Sequence, residues 1–94
     1  MKYAQRAVEL TPADPDYNDT LGWILYLKGL YEPALRNLEI ASSSKKNAVA
    51  TFHLAMAYAR AGKTAQGRAT LAKGLKMNSK SPEAKAAADL LAQN

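Results

Sequence analysis

Apolar residues recur at three- and four-residue spacing along most of the chain, which is the periodicity of helices with one buried face. Runs of β-branched residues are absent and alanine is frequent, and both features favour helix over strand. The spacing predicts helices near residues 2–10, 15–28, 32–42, 46–61, 64–77 and 82–92. The sequence therefore predicts an all-α fold of about six helices.

Short signals mark where several of these helices begin and end. Asp14 is a favourable N-cap with a proline directly after it, and Ser81 repeats that arrangement. Gly29 and Gly62 each follow an apolar helix and favour the left-handed conformation that ends many helices. Because the connections after these helices are short, we expect consecutive helices to pack as hairpins.

The second and third predicted helices resemble the fourth and fifth in the order of their small and large residues. Gly29 matches Gly62, and Leu38 matches Leu71, each at an offset of 33 residues. A small residue such as Gly22 lets two helix axes approach closely. A helix hairpin that repeats in this way predicts a short solenoid.

This repeat resembles the tetratricopeptide repeat (TPR), a family whose unit is a helix–turn–helix of about 34 residues with a signature of small and large residues. The matching residues are Leu21, Gly22, Leu25, Ala34, Leu38 and Ala41 in one unit, and Leu54, Ala55, Tyr58, Gly67, Leu71 and Gly74 in the next. The resemblance implies a right-handed superhelix of antiparallel helix hairpins.

The same resemblance implies how the chain is organised. It divides a single domain, residues 1–94, into the second helix of a truncated repeat (1–14), two TPR units (15–47 and 48–80) and a capping helix (81–94). We expect the chain to be the C-terminal part of a longer, bacterial-type TPR protein. The family's aromatic residue near the start of each unit is replaced by Asn18 and Thr51.

One face of the second helix and the matching face of the fourth carry the residues that we predict to bind a partner. Trp23 lies about 100° around the helix from Gly22, so it cannot share the packing face of that glycine. In proteins that resemble this chain, the face with Trp23 lines the concave side and holds a partner's peptide segment. Tryptophan is enriched at binding hot spots, and methionine adapts to varied ligands. The predicted groove residues are Asp19, Trp23, Tyr26, Phe52, His53, Met56 and Arg60.

The alternative interpretation of Trp23 is that it belongs to the core between the repeats. His53 is the only histidine, and the chain has no cysteine, so no zinc site is predicted. No acidic residue or nucleophile lies at helical spacing from His53, and no glycine-rich phosphate loop occurs. We therefore expect His53 to line the groove or pack beside it, with no catalytic residue, no cofactor and no enzyme activity.

Charge is unevenly distributed along the chain, whose net charge is +5. Residues 40–82 carry eight basic side chains and no acidic one, which favours an acidic partner or surface. No apolar run approaches the roughly 18 residues that a membrane span needs, and the amphipathic start does not resemble a signal peptide.

The function that these patterns favour is a protein–protein interaction scaffold or adaptor that binds a partner segment in the concave groove. One alternative is binding of nucleic acid or an acidic surface through residues 45–80, with nucleic acid the weaker possibility because two repeat units offer a short surface. The other is a structural or self-association module, in which the uncovered N-terminal helix contacts a second copy.

Overall fold

The computed structural model describes residues 14–43 and 48–92. They form five α-helices, namely α1 (Pro15–Leu27), α2 (Tyr31–Ser42), α3 (Ala48–Arg60), α4 (Thr64–Met77) and α5 (Pro82–Ala92). These two described ranges contain no strand, so the all-α prediction is confirmed for them. The helix predicted near residues 2–10 lies outside the described residues.

The predicted caps set the starts of α1 and α5. Asp14 Oδ1 accepts hydrogen bonds from the backbone N–H groups of Asp16 at 2.9 Å and Tyr17 at 3.3 Å. Ser81 Oγ accepts from the backbone N–H of Glu83 at 3.1 Å and donates to the Glu83 carboxylate. These bonds satisfy backbone donors that a helix start leaves without a partner inside the helix.

The two turns that follow α1 and α3 have the same backbone geometry. Gly29 has φ 80° and Gly62 has φ 82°. The residue after Gly29 donates its N–H to the carbonyl of Leu25 at 2.9 Å, and the residue after Gly62 donates to that of Tyr58 at 2.8 Å. This bond and the left-handed glycine define a Schellman ending, which reverses the chain within three residues. The helices of each pair, α1 with α2 and α3 with α4, are therefore antiparallel.

The helices pack in two layers. Besides the two hairpins, α2 packs against α3, and α5 packs against both α3 and α4. α1 also contacts α3, whereas α2 and α4 make no contact with each other in the part of the chain that is described. One layer therefore consists of α1, α3 and α5, and the other consists of α2 and α4.

Two apolar clusters fill the space between these helices. The first cluster joins α1, α2 and α3, and its buried members are Leu21, Leu25, Tyr26, Ala34, Leu35, Leu38, Leu54 and Ala57. The second cluster joins α3 and α5, and its buried members are Phe52, Ala55, Ala59, Ala84, Ala87, Leu90 and Leu91. Met56 packs against both clusters and so connects them.

Two glycines allow the helices of each hairpin to approach closely. A Cβ atom on Gly22 would lie 2.7 Å from Leu38 Cγ on the facing helix. A Cβ atom on Gly74 would lie 2.6 Å from Phe52 Cε1. Since no side chain fits at such distances, the predicted packing role of Gly22 is confirmed.

Asn18 and Thr51, which stand where the TPR resemblance would place an aromatic residue, are buried inside the hairpins. Asn18 donates from Nδ2 to the Asp14 carbonyl at 2.8 Å and accepts from Asn37 Nδ2 at 3.1 Å. Thr51 Oγ1 lies 3.8 Å from Met77 Sδ. Each of the two residues thus joins the two helices of its hairpin. Among all the described residues, no buried side-chain N or O atom lacks a hydrogen-bond partner.

Candidate functional site

Six of the seven predicted groove residues lie where α1 and α3 run side by side, a surface that we call the α1–α3 face. Three- and four-residue spacing places each set on one side of its helix. The residues are Asp19, Trp23 and Tyr26 from α1, and His53, Met56 and Arg60 from α3.

A hydrogen-bonded carboxylate–histidine pair joins the two helices at this face. Asp19 Oδ1 lies 2.9 Å from His53 Nδ1, and the two side chains are 20% and 10% exposed. Helical spacing around His53 did not reveal this acidic partner, because Asp19 comes from the neighbouring helix rather than from the turns of α3. A carboxylate on one ring nitrogen fixes the orientation of the imidazole.

Trp23 stacks against two other rings. Its ring centroid is 4.0 Å from that of His53 with an interplanar angle of 15°, and 4.7 Å from that of Tyr26 with an angle of 7°. Tyr26 meets Tyr31 edge-on at 5.4 Å. Stacked pairs of this kind add about 0.5–1.5 kcal/mol to the free energy gained by burying their area. Trp23 is only partly buried, so it packs against the first cluster and also reaches the surface.

An open cavity of about 310 Å³ lies beside this stack. Its walls are Trp23, His53, Met56, Pro82, Glu83 and Ala86, and they are mostly apolar. A cavity of this volume is at the small end for ligand sites and accepts one large side chain rather than a whole helix.

The contribution of α5 to the cavity is the part of the site that the sequence analysis missed. The sequence predicts a capping helix over residues 81–94 and assigns none of these residues to the groove. The sequence feature that could have indicated this contribution is the four-residue spacing of Pro82 and Ala86, which puts both residues on one side of α5. Both residues are exposed rather than buried in the second cluster.

Phe52 does not line the cavity. Its side chain is 0% exposed in the second cluster, where the ring lies against the position of the missing Cβ of Gly74. Its assignment to the groove is corrected, because burial leaves no surface for a partner to contact. Tyr26 is also a core residue, 9% exposed, and supports Trp23 from within rather than facing a partner.

Glu83 brings a carboxylate to the cavity wall. Its hydrogen bond from Ser81 Oγ, a bond with its own backbone N–H and the nearby charge of His53 lower the pKa of Glu83, while burial opposes them. The carboxylate is therefore ionised at neutral pH.

Arg60 lies at the C-terminal end of α3 and is not among the cavity-lining residues. A hydrogen bond with the Tyr26 side chain raises the pKa of Arg60. Its guanidinium is exposed, so it can contact a segment that extends along the α1–α3 face beyond the cavity.

The basic side chains of α4 lie outside the α1–α3 face. Arg68, Lys73 and Lys76 are exposed on that helix, and α4 carries no aromatic residue. Two further basic residues of the predicted segment, Lys45 and Lys46, lie outside the described residues. Without a ring on which a base can stack, these exposed cations offer only contacts to phosphate.

Comparisons with known proteins add no family to this description. No protein-family model matches the sequence, and no curated protein matches it significantly. Within residues 14–43 and 48–92, no helix is long and apolar enough to cross a membrane. The same residues contain no group of three or more side chains that could hold a metal ion.

Proposed function

We propose that this chain is a protein–protein interaction scaffold or adaptor that binds a segment of a partner protein along the α1–α3 face. The observation that carries this proposal is the open cavity of about 310 Å³ between α1, α3 and α5. Trp23 and Met56 offer the partner a large rigid ring and an adaptable thioether. A partner side chain anchored in the cavity would fix the register of the rest of the segment.

The arrangement of the helices supports a TPR-like superhelix as the scaffold for this surface. α1 contacts α3, and α3 contacts α5, but the described parts of α2 and α4 do not touch. A solenoid curves toward the layer whose members lie closer together. In this proposal, α1, α3 and α5 therefore line the concave side, and the cavity faces the bound segment.

The proposed role is binding without catalysis. A histidine–carboxylate pair becomes catalytic when the histidine activates a nucleophile within hydrogen-bonding distance. Among the described residues, His53 is hydrogen-bonded to Asp19 and to no serine or threonine hydroxyl. The pair instead connects α1 with α3 and holds the ring on which Trp23 stacks.

The proposal is tested by selecting short peptides from a random displayed library and measuring their affinity by calorimetry. Ala86→Leu places a larger side chain in the cavity, and Ala72→Leu makes the same change on the exposed side of α4. We expect Ala86→Leu to weaken binding by about tenfold or more, the loss typical of a hot spot, while Ala72→Leu has no effect. Equal affinities for both variants would contradict the cavity as the binding site.

Self-association is distinguished by quenching the fluorescence of Trp23, the only tryptophan. A neutral quencher should reach Trp23 at every protein concentration if the cavity is open in solution. Protection that appears only in concentrated protein would mean that a second copy covers the α1–α3 face, and the self-association module would replace the adaptor.

Binding through the basic segment is distinguished by Lys73→Glu combined with Lys76→Glu. These exposed residues lie on α4, outside the cavity. We expect the double variant to bind the selected peptides as the parent chain does. Loss of peptide binding in this variant would favour the basic segment as the binding site. The same conclusion would follow if the parent chain bound single-stranded nucleic acid in a salt-dependent way and the double variant did not.

A further inference from the structure

We propose that the cavity selects a cationic side chain, lysine or arginine, as the anchor of the partner segment. This inference rests on the proposed function, because it names the chemistry of the residue that enters the same cavity. Glu83 is the acidic member of the cavity wall, and none of the six lining residues is a lysine or an arginine. The cavity therefore differs from the chain as a whole, which carries a net charge of +5.

The apolar walls fit the stem of such a side chain. Lysine and arginine bury a chain of methylene groups and leave only the end of the side chain to be solvated or paired. Trp23, Met56 and Ala86 supply apolar surface for those methylene groups.

The charged end of the anchor would meet the Glu83 carboxylate. Oε2 of that carboxylate accepts a hydrogen bond from Ser81, and the carboxylate itself borders the cavity. A second carboxylate, Asp19, lies behind His53, whose ring forms part of the cavity wall. An incoming cation would thus find the Glu83 carboxylate to bind directly and a second acidic group behind the histidine ring.

The start of α5 does not make the cavity a site for anions. Helix N-termini attract negative charge through their first N–H groups. Here the N–H of Glu83 donates to Ser81 Oγ at 3.1 Å, and the N–H of Ala84 donates to the Ser81 carbonyl at 3.0 Å. The Glu83 carboxylate also occupies the first turn, so it takes the role that an external anion would have.

The test uses four capped peptides of the form Gly-Ser-X-Ser-Gly, in which X is lysine, arginine, norleucine or glutamate. Norleucine has a linear apolar chain without the ammonium group, so it isolates the effect of the charge. NMR titrations would follow the Trp23 indole N–H and the Met56 methyl resonances. We expect the lysine and arginine peptides to bind about three- to tenfold more tightly than norleucine, and glutamate to bind most weakly.

A matched pair of variants locates the source of this preference. Glu83→Gln and Asp89→Asn each remove one negative charge from α5, but Asp89 is exposed and does not line the cavity. We expect Glu83→Gln to bring the lysine and norleucine affinities within about twofold of each other, while Asp89→Asn keeps the difference. The comparison of peptides on the unmodified chain needs no variant, so it decides the question even if Glu83→Gln folds poorly.

Each outcome has a separate meaning. Three results would overturn the cationic anchor: norleucine binds as tightly as lysine, glutamate binds most tightly, or both variants lose the lysine preference equally. Each of these results would leave the adaptor function in place. If no peptide shifts the Trp23 or Met56 resonances, the cavity is not a binding site, and the cationic anchor and the proposed function both fail.

Discussion

The two helix hairpins share a backbone design but differ in what they bury at matching positions. Asp19 in α1 and Phe52 in α3 are 33 residues apart and occupy equivalent places in the repeat. Asp19 lies near the surface, 20% exposed, and pairs with His53, whereas Phe52 is completely buried. Equivalent positions in a repeat therefore share backbone geometry without sharing an environment.

The difference follows from the neighbours of each position. The ring of Phe52 fills the space beside Gly74, while the residue that matches Gly74 in α2 is Ala41. Phe52 is then enclosed by α5, which contributes Ala84 and Leu91 to its cluster. The Asp19 position faces α3 instead, and α3 presents His53. A large apolar ring fits where glycine and α5 surround it, and a carboxylate fits where a histidine can accompany it.

Removing the side chains at these two positions should have very different effects on stability. Phe52→Ala deletes a fully buried ring and should lower the free energy of unfolding by about 3–5 kcal/mol. Urea unfolding followed by circular dichroism measures this change, with Asp19→Ala as the matched variant. Losses of equal size at both positions would mean that Phe52 is not the centre of its cluster.

The glycines that admit the facing side chains provide the next test. Gly74→Ala improves helix propensity, yet its Cβ would meet Phe52, so we expect a loss of about 1–3 kcal/mol in the free energy of unfolding. Gly22→Ala should have a similar effect through Leu38 in the other hairpin. In a Phe52→Leu background, Gly74→Ala should be nearly neutral or stabilising. A loss in that background as large as in the parent chain would exclude the contact with Phe52 as its cause.

The hydrogen-bonded pair of Asp19 and His53, which takes the place of the buried ring, should contribute less to stability. Asp19→Ala leaves the largely buried His53 Nδ1 without its partner, and we expect a loss of about 1–2 kcal/mol. Asp19→Asn can keep a hydrogen bond to the imidazole and should lose less. Thermal unfolding at neutral pH separates the two variants, and an unchanged melting temperature for Asp19→Ala would show that the pair does not hold α1 against α3.

The smallest expected effect concerns the acid stability of the α5 end. The pKa of Glu83 is lower in the folded chain than its ordinary value of 4.5. Its contribution to stability is therefore complete above that pH, and it is lost as the pH falls through the folded-state pKa. We expect a loss of roughly a few tenths of a kcal/mol, since Glu83 remains partly solvated.

The check is to compare the unfolding free energy of the parent chain with that of Glu83→Gln across the acid range. The difference between the two chains should shrink as the pH falls below 4.5. A difference that stays constant, or that grows in acid, would show that the carboxylate does not stabilise α5 through its charge.

The local features of this chain were predictable because they depend on neighbours in sequence. The cap at Asp14 and the left-handed turns at Gly29 and Gly62 follow from the conformational preferences of those residues and agree with the structure. The start and end predicted for the helix over residues 64–77 are also those observed. The spacing of Asp19 and Trp23 further predicted that the two residues share one side of α1.

The pairing of His53 with Asp19 could not be read from helical spacing, because the two residues belong to different helices. The burial of Phe52 could not be predicted for a related reason. The spacing between matching residues of two repeat units does not indicate which helix later in the chain packs over a position. The cavity likewise needs α5 to close one side, and nothing in residues 82–86 specifies the surface against which that helix packs.

By itself, the sequence determined where the described residues form helices, where the hairpins turn and which small residues let the facing helices approach. These features arise from hydrogen bonds and steric limits within a few residues, or from one close contact inside a hairpin. Only the tertiary structure decided that Phe52 is core, that His53 has an acidic partner and that Trp23 borders a cavity. Those outcomes depend on how the three helices α1, α3 and α5 share one layer, where burial and pairing are set by residues far apart in the chain.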